Sequence, residues 1–114
     1  MILEVGEKVH VITRRLFETD LRRHFIGEVI RINETAALIE GYTFIFDNSK
    51  NQYIRRPEKR SRIVGIADSG YIINLLPVTA DPEDAKYVQS KENKLVVSDG
   101  KTFSLEINEF GASR

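Results

Sequence analysis

Residues 25–47, FIGEVIRINETAALIEGYTFIFD, decide the fold because they contain two β-rich runs joined by a turn. Isoleucine, valine and aromatic residues favour strands, and Asn33-Glu34-Thr35 has the composition of a turn. We therefore predict a β-hairpin centred on Glu34. Its register forms the following pairs: Ile32 with Ala36, Ile30 with Leu38, Val29 with Ile39, Glu28 with Glu40, and Gly27 with Gly41.

The glycine pair in this hairpin predicts a sharp bend. Glycine inside a strand costs stability and often marks a bend, so Gly27 opposite Gly41 lets both strands bend at one level. A small closed barrel needs such a bend. The same register places Glu28 opposite Glu40, which is mildly unfavourable unless a cation lies nearby.

The segment before the hairpin predicts a first strand at 8–14, where apolar and polar residues alternate. Residues 14–25, RRLFETDLRRHF, then allow two interpretations. One is a short helix, because apolar side chains recur about four residues apart at Leu16 or Phe17, Leu21 and Phe25. The other is a long charged hairpin loop.

The segment after the hairpin, residues 62–77, contains two short apolar runs separated by a turn at Asp68-Ser69-Gly70. Runs that are almost entirely apolar predict strands covered on both faces. The second cover is either a neighbouring subunit or the chain's own C-terminal segment. Unpaired edges in a monomer are a liability, so we predict a homo-oligomer. Its predicted interface residues are Ile63, Val64, Ile66, Tyr71, Ile72, Ile73 and Leu75.

The C-terminal segment predicts an appendage of a helix and a hairpin over 81–110. Asp81 is a good N-cap and Pro82 suits the first turn, so a short helix is expected to begin here and to end before Asn93. A hairpin about Asp99-Gly100 follows, with three alternating apolar residues: Phe103, Leu105 and Ile107.

Composition indicates one domain over 1–114, with residues 8–77 as its core. Net charge is zero, but residues 1–62 carry 12 basic against 9 acidic residues, and 63–114 carry 5 against 8. Any nucleic-acid site must therefore be a local basic patch. No apolar run is long enough to span a membrane, and no signal peptide is expected at the start. The absence of cysteine is compatible with the cytoplasm, which is the expected location.

The chain offers few groups for catalysis. Only His10 and His24 titrate near neutral pH as unperturbed groups, and cysteine nucleophiles, glycine-rich phosphate loops and HExxH motifs are missing. We therefore expect no enzymatic activity, no metal and no cofactor.

A basic patch is the strongest candidate for a binding site. Arginine forks suit bidentate contacts to phosphate, and a tyrosine offers a face on which a base can stack. The alternative is a solvated loop in which Glu58 and Asp47 pair with some of the cations. The candidate residues for binding single-stranded RNA or DNA are Arg22, Arg23, His24, Asn33, Lys50, Tyr53, Arg55, Arg56, Lys59, Arg60 and Arg62.

Five short strands, a bent central hairpin and a terse turn before the last strand resemble an Sm-like small β-barrel over residues 8–77. The first Sm motif has a glycine, then a hydrophobic residue two positions on, an aspartate six on and an asparagine ten on. Those places hold Gly27, Val29, Asn33 and Ala37. The second motif contains Arg-Gly before an apolar strand, whereas GIADSGYIINLL here has the glycine but no arginine.

This resemblance implies a mainly β fold with a strongly bent, five-stranded SH3-like or Sm-like barrel, to which the helix and hairpin are additions. It also implies a homo-oligomeric ring, because the fourth strand of one Sm-like subunit pairs with the fifth strand of the next. The residues that bind the base in Sm proteins are altered, which leaves a self-associating structural or protein-interaction module without a nucleic-acid ligand as the alternative function. The motifs RRHF and RRPEKR also resemble those of small uncharacterised bacterial proteins, which implies no function.

Overall fold

The computed structural model describes residues 2–15, 17, 19–90, 92 and 94–107, which form nine strands in two antiparallel sheets. The prediction of a mainly β fold is confirmed. The strands are β1 (Lys8–Ile12), β2 (Arg23–Ile32), β3 (Ala36–Asp47), β4 (Gln52–Arg55), β5 (Arg60–Gly65), β6 (Ile72–Leu76), β7 (Lys86–Gln89), β8 (Leu95–Ser98) and β9 (Ser104–Glu106). The helical part of the described chain is a 3-10 turn at Pro82–Asp84.

The main sheet contains β1 to β6 and is open. Its order is β6-β1-β2-β3, and the long β3 then pairs with β5 along residues 36–41 and with β4 along residues 44–47. The turn between β5 and β6 does not make them a hairpin, because β5 pairs with β3 and β6 pairs with β1. The expected closure into a barrel is therefore not found among the described strands.

The β2–β3 hairpin has the predicted register over most of its length. Gly27 lies opposite Gly41, and a Cβ added to Gly41 would lie 2.5 Å from the Cα of Gly27 and overlap the Ile26 carbonyl. The strands approach so closely that only glycine fits. Near the turn, a bulge at Ile30 shifts the pairing by one residue. The two predicted pairs beyond it are therefore wrong, because Leu38 lies opposite Arg31 and Ala37 opposite Ile32.

Cations accompany the two opposed glutamates of this hairpin. Glu28 lies opposite Glu40, as predicted, and Lys8 on β1 lies opposite Glu28 on its other side. Lys59 Nζ is 3.6 Å from a carboxylate oxygen of Glu40. The like charges therefore each have a basic neighbour.

One face of the main sheet carries an apolar cluster, the inner core, which we define as Val9, Val11, Phe25, Val29, Ala37, Ile39 and Val64. Ile73 of β6 and Ile66 pack against it. Side chains from β1, β2, β3, β5 and β6 thus meet in one cluster, so the sheet wraps around it. Burial of these methyl and ring groups is the main stabilising contribution at this face.

The opposite face of the main sheet is covered by the second sheet, in the order β7-β8-β9. Ile26, Tyr42 and Phe44 of the main sheet join Val97 and Ile107 of the C-terminal segment in a second cluster of buried residues. The chain's own C-terminal segment therefore covers much of this face. Leu76 at the end of β6 joins the cluster, whereas Ile63, Ile72 and Leu75 stay exposed.

The helix predicted after Asp81 and the short helix that was one of two interpretations of residues 14–25 do not form in the described residues. The described residues between β1 and β2 are not helical, as the loop interpretation expects, and the Asp20 amide donates to the Phe17 carbonyl; Leu16 and Glu18 lie outside the described residues. At the second position Asp81 caps the amide of Glu83 as predicted, but the turn ends at Asp84. Residues 86–89 then form β7, because pairing with β8 satisfies their backbone groups and orients Tyr87 towards the main sheet.

The C-terminal hairpin is confirmed. β8 pairs with β9 across a turn in which Gly100 has φ +84°, and Asp99 accepts hydrogen bonds from the amides of Lys101 and Thr102. Residues 108–110, which the predicted hairpin included, lie outside the described residues. In the part of the chain that the structure describes, no helix has the length and apolar character needed to cross a membrane.

Candidate functional site

The cations of the β4–β5 loop are divided between intramolecular contacts and solvent. The Arg55 guanidinium lies 3.9 Å from the centroid of the Tyr42 ring and donates to the Glu83 carbonyl. Lys59 forms its ion pair with Glu40. Arg56 is exposed. Two of the predicted phosphate ligands are thus already engaged by the protein itself.

Of the two acidic partners predicted for this loop, Glu58 is exposed and Asp47 closes a neighbouring turn. Asp47 Oδ1 accepts from the amides of Ser49 and Lys50, which closes the turn between β3 and β4. These hydrogen bonds lower the pKa of Asp47, the largest contribution coming from the Ser49 hydroxyl. Lys50 itself is exposed at the tip of that turn.

Arg60 and Arg62 lie on the edge strand β5, and alternation puts both on the same side of the strand as the buried Val64. The Arg62 guanidinium lies 5.9 Å from the centroid of the Phe25 ring. Arg62 therefore lies on the same side of the sheet as Phe25 of β2, with its side chain exposed to solvent.

A groove of about 660 Å³, which we call the arginine groove, lies between β5 and the adjoining ends of β1 and β2. Three arginines line it: Arg14, Arg23 and Arg62. Asp20 is the only carboxylate among its described lining residues, so the groove carries a net positive charge. Its other lining residues are Val11, Thr13, Leu21, Phe25, Ser61, Ile63, Val64 and Tyr71.

The three arginines of the groove form no ion pair with any carboxylate of the described chain. Arg14 is the one that the sequence did not single out. Its side chain passes over Gly70, where a Cβ would lie 2.6 Å from Arg14 Cδ. Gly70 also has φ +77°, so a glycine at this position both allows the turn and leaves space for the Arg14 side chain.

Several predicted ligand residues lie away from the groove. His24 and Tyr53 are buried, so neither presents a face to an external ligand, which corrects their inclusion in the basic patch. Asn33 Oδ1 accepts from the amides of Thr35 and Ala36 and so closes the β2–β3 turn. Arg22 precedes β2, and its carbonyl accepts from the Phe46 amide.

A second constellation, the buried histidine network, lies between the two sheets and comprises His10, His24, Tyr53, Asn74 and Tyr87. Both histidines have no exposed surface. The Tyr87 hydroxyl is 2.9 Å from His10 Nε2 and is also hydrogen-bonded to His24 Nδ1. His24 Nε2 is 3.3 Å from the Tyr53 hydroxyl, and Asn74 Nδ2 is 3.2 Å from His10 Nδ1.

The Asn74 amide fixes the tautomer of His10. The Asn74 amide nitrogen only donates, so His10 Nδ1 accepts and His10 Nε2 donates to the Tyr87 hydroxyl. The Tyr87 and Tyr53 hydroxyls can each donate to or accept from His24, because a hydroxyl has one donor hydrogen and two acceptor lone pairs.

Burial favours the neutral forms of His10 and Tyr87. Desolvation, with a smaller contribution from the nearby His24, lowers the pKa of His10 from 6.5 to about 3. Desolvation also raises the pKa of Tyr87 well above its ordinary value. The sequence singled out both histidines but not Asn74 or Tyr87, because Tyr87 fell in the predicted helix.

No group of three or more histidine, aspartate or glutamate residues is arranged to hold a metal ion within the described ranges. The predicted interface residues divide into two sets. Ile63, Tyr71, Ile72 and Leu75 are exposed, with Ile63 at 78%. Val64 is buried in the inner core, and Ile66 and Ile73 pack against it.

Comparison of the chain with protein-family models, with curated protein sequences and with solved structures gives no match in any of the three.

Proposed function

We propose that this protein is a non-enzymatic, self-associating β module that binds single-stranded RNA or DNA in the arginine groove. The observation that carries the proposal is the groove itself, which brings Arg14, Arg23 and Arg62 together beside the exposed ring of Tyr71. Positive charge next to an aromatic face is the combination with which proteins hold single strands without reading a sequence.

The chemistry of the groove suits a sugar–phosphate backbone with unstacked bases. A guanidinium group donates two parallel hydrogen bonds to a phosphate, and three of them have no competing carboxylate partner in the described chain. Tyr71 offers a ring on which one base can stack. One groove contacts few nucleotides, so useful affinity would come from several copies acting on one strand.

The strand order supports an Sm-like arrangement of subunits. β5 and β6 match the fourth and fifth strands of the Sm-like pattern, and they lie at opposite edges of the main sheet. Each edge carries exposed apolar side chains, Ile63 on β5 and Ile72 and Leu75 on β6. Two different free edges favour head-to-tail pairing, which closes into a ring when the rotation allows it. The absence of cysteine agrees with a place in the cytoplasm.

A self-associating module without a nucleic-acid ligand is the second candidate. The contacts of Arg55 with Tyr42 and of Lys59 with Glu40 favour it, because they use loop cations to hold the fold. In this alternative the exposed arginines contact acidic surfaces of neighbouring proteins.

Fluorescence anisotropy with short labelled single-stranded RNA and DNA tests the proposal. We expect binding at about 50 mM salt that weakens by tenfold or more at about 200 mM, because each neutralised phosphate releases counterions. The variant Arg23→Ala/Arg62→Ala should lose at least about tenfold in affinity and show a shallower salt dependence by about two phosphate contacts.

The matched control is Lys50→Ala/Arg56→Ala, which removes the same charge from exposed positions outside the groove. It should change affinity by less than about threefold. Equal losses in both variants would mean diffuse electrostatic attraction instead of a groove. Absence of binding at low salt would leave the protein-interaction module as the function.

Light scattering tests self-association separately. We expect a mass that is a multiple of 13.1 kDa at tens of micromolar protein, and a monomer for Ile72→Lys on the β6 edge. A monomeric wild-type protein would contradict the oligomer while leaving the groove to be judged by the anisotropy measurement.

A further inference from the structure

Arg14 lies across the backbone of the turn between β5 and β6. A Cβ placed on Gly70 would be 2.6 Å from Arg14 Cδ, 3.2 Å from its Nη1 and 3.3 Å from its Nε. The Arg14 stem therefore fills the space in which any residue other than glycine would place its side chain at this position. An arginine stem covers protein surface in this way while its guanidinium group stays in water, and Arg14 lines the arginine groove.

The backbone next to Arg14 is joined to that of Arg23 by two hydrogen bonds. The Thr13 amide donates to the Arg23 carbonyl at 3.2 Å, and the Thr13 hydroxyl donates to the same oxygen at 2.7 Å. Arg23 is the first residue of β2 and also lines the groove. The side chains of Arg14 and Arg23 thus extend from backbone segments whose separation is fixed.

The turn on which Arg14 lies also places the aromatic ring of the groove. Gly70 has φ +77°, which L residues rarely adopt, and the Tyr71 amide donates to Ser69 Oγ at 3.2 Å. Tyr71 follows Gly70 directly, lines the groove and is 37% exposed. One turn therefore supports both a cation and a ring, which are the two kinds of group that contact a single strand.

We propose that Gly70 is a positioning residue, which holds Arg14 beside Tyr71 as the phosphate ligand next to a stacked base. This inference rests on the nucleic-acid binding proposed above, and it adds to the groove a ligand and the means of its placement. An arginine that is already ordered loses less conformational freedom when it binds phosphate, which is equivalent to about three- to tenfold in affinity. A single strand with an unstacked base beside a phosphodiester is the ligand that this pair of groups fits.

Fluorescence anisotropy with a short labelled oligothymidylate tests the role of Gly70. Gly70→Ala displaces Arg14, because the added Cβ and the movable end of the arginine side chain cannot occupy the same space. We expect the affinity at about 50 mM salt to fall by about fivefold. Unchanged affinity would overturn the proposal.

Gly100→Ala is the matched control for backbone strain. Gly100 has φ +84°, and an added Cβ would meet nothing in the described chain within 4 Å beyond its chain neighbours. Both alanines strain the backbone, so we expect both variants to lower the thermal midpoint by roughly 5 °C. The control should change affinity for oligothymidylate by less than about twofold. Equal losses of affinity in the two variants would overturn the proposal.

A double-mutant cycle shows whether Gly70 acts through Arg14. We expect Arg14→Ala to lower affinity by about fivefold and to reduce the salt dependence by about one phosphate contact. In that background Gly70→Ala should lower affinity by less than a further ~twofold, because the side chain that it displaces is already absent. An equal loss in both backgrounds would mean that Gly70 acts through Tyr71 or the turn, which would overturn the placement of Arg14.

Nitrogen NMR of the arginine side chains tests the placement without any nucleic acid. We expect the heteronuclear NOE of the Arg14 Nε–H to be close to backbone values in the wild-type protein, and to fall to that of the exposed Arg56 in Gly70→Ala. If Arg14 is as mobile as Arg56 in a protein that binds oligothymidylate, positioning by Gly70 is overturned and the proposed function stands. An ordered Arg14 in a protein that does not bind oligothymidylate would instead contradict the proposed function and the ligand role of Arg14.

Discussion

The two faces of β1 are equally buried but are built from different chemistry. Val9, His10 and Val11 are consecutive residues, and all three have no exposed surface. The valines point into the inner core and the histidine points into the network beneath the second sheet. Burial of the valines needs only complementary volume, whereas burial of the histidine needs partners at defined positions and in defined directions.

The inner core should therefore stabilise the fold independently of pH, whereas the stability that the histidine network contributes should depend on pH. An apolar side chain keeps its contribution to stability at any pH. A neutral, hydrogen-bonded imidazole keeps its contribution only while its protonation state and its partners are retained.

The close approach of the backbones at Gly27 and Gly41 should be the feature that is most sensitive to substitution. We expect Gly41→Val to lower the free energy of unfolding by more than about 3 kcal/mol, because a Cβ there overlaps the Ile26 carbonyl and the Gly27 Cα. Gly65→Val on β5 is the matched control, since its nearest neighbour would be Ser69 Cβ at 3.8 Å. Urea unfolding measures both, and similar stabilities would refute the close approach.

Acid should weaken the histidine face before it affects the carboxylates. The pKa of His10 is about 3 in the folded protein against 6.5 unfolded, so the unfolded state binds more protons and stability falls as the pH drops below about 6.5. One such group contributes a loss of about 2 kcal/mol between pH 6.5 and 5. Urea unfolding at closely spaced pH values measures this slope.

Asp99 provides the contrast for that measurement. Desolvation opposes ionisation of Asp99, but hydrogen bonds from Thr102, Lys101 and Asp81 outweigh it and hold the pKa below its usual range. Its contribution is therefore complete above about pH 4 and is lost in stronger acid. A stability profile that is flat from pH 7 to 5 and falls only below pH 4 would contradict the role given to His10.

Removal of the bridging hydroxyl should have a smaller effect. We expect Tyr87→Phe to lower the free energy of unfolding by about 1.5 kcal/mol at neutral pH, because His10 loses its acceptor and His24 loses a hydrogen-bond partner while the aromatic packing stays. Tyr71→Phe, at a partly exposed ring, is the control and should stay within about 0.5 kcal/mol. Thermal unfolding of the two variants distinguishes a hydrogen-bond effect from a general effect of tyrosine loss.

The exposed arginines of β5 should matter least for folding. Arg60→Ala/Arg62→Ala is expected to change stability by less than about 0.5 kcal/mol, because exposed charges contribute little. Arg55→Ala should cost about 1 kcal/mol, since its guanidinium lies over Tyr42 and donates to the Glu83 carbonyl. Chemical denaturation measures both variants. Equal losses of stability would mean that the contacts of Arg55 stabilise the fold no more than the exposed side chains of Arg60 and Arg62 do.

Local patterns predicted the elements in which neighbouring residues interact. The β2–β3 hairpin with its glycine pair, the turn at Asp99-Gly100 and the cap at Asp81 all follow from residues close together in the chain. The bulge at Ile30 was missed because alternation alone does not show which strand carries an extra residue. The helix N-cap predicted at Asp81 is confirmed, but no neighbouring residue indicates that it begins a single turn followed by a strand.

The candidate sites required contacts between distant parts of the chain. Arg14, Arg23 and Arg62 come from three segments, and the sequence emphasised the loop arginines because they are consecutive. Tyr87 lies 77 residues from His10 and 63 from His24, so no spacing rule connects them. Period-2 alternation does place His10 on the opposite face of β1 from Val9 and Val11. This is the one feature of the sequence that indicates a polar residue facing the second sheet.

The sequence by itself determined a mainly β chain with a bent central hairpin, a C-terminal hairpin, a basic first half and no thiol chemistry. These properties depend on composition, on turn residues and on a two-residue period, all of which act over short distances. The tertiary structure decided that the sheet stays open at β5 and β6, that a second sheet covers its outer face, and which arginines share a groove. Those outcomes depend on how distant apolar faces are buried together and on which remote group satisfies each buried polar atom.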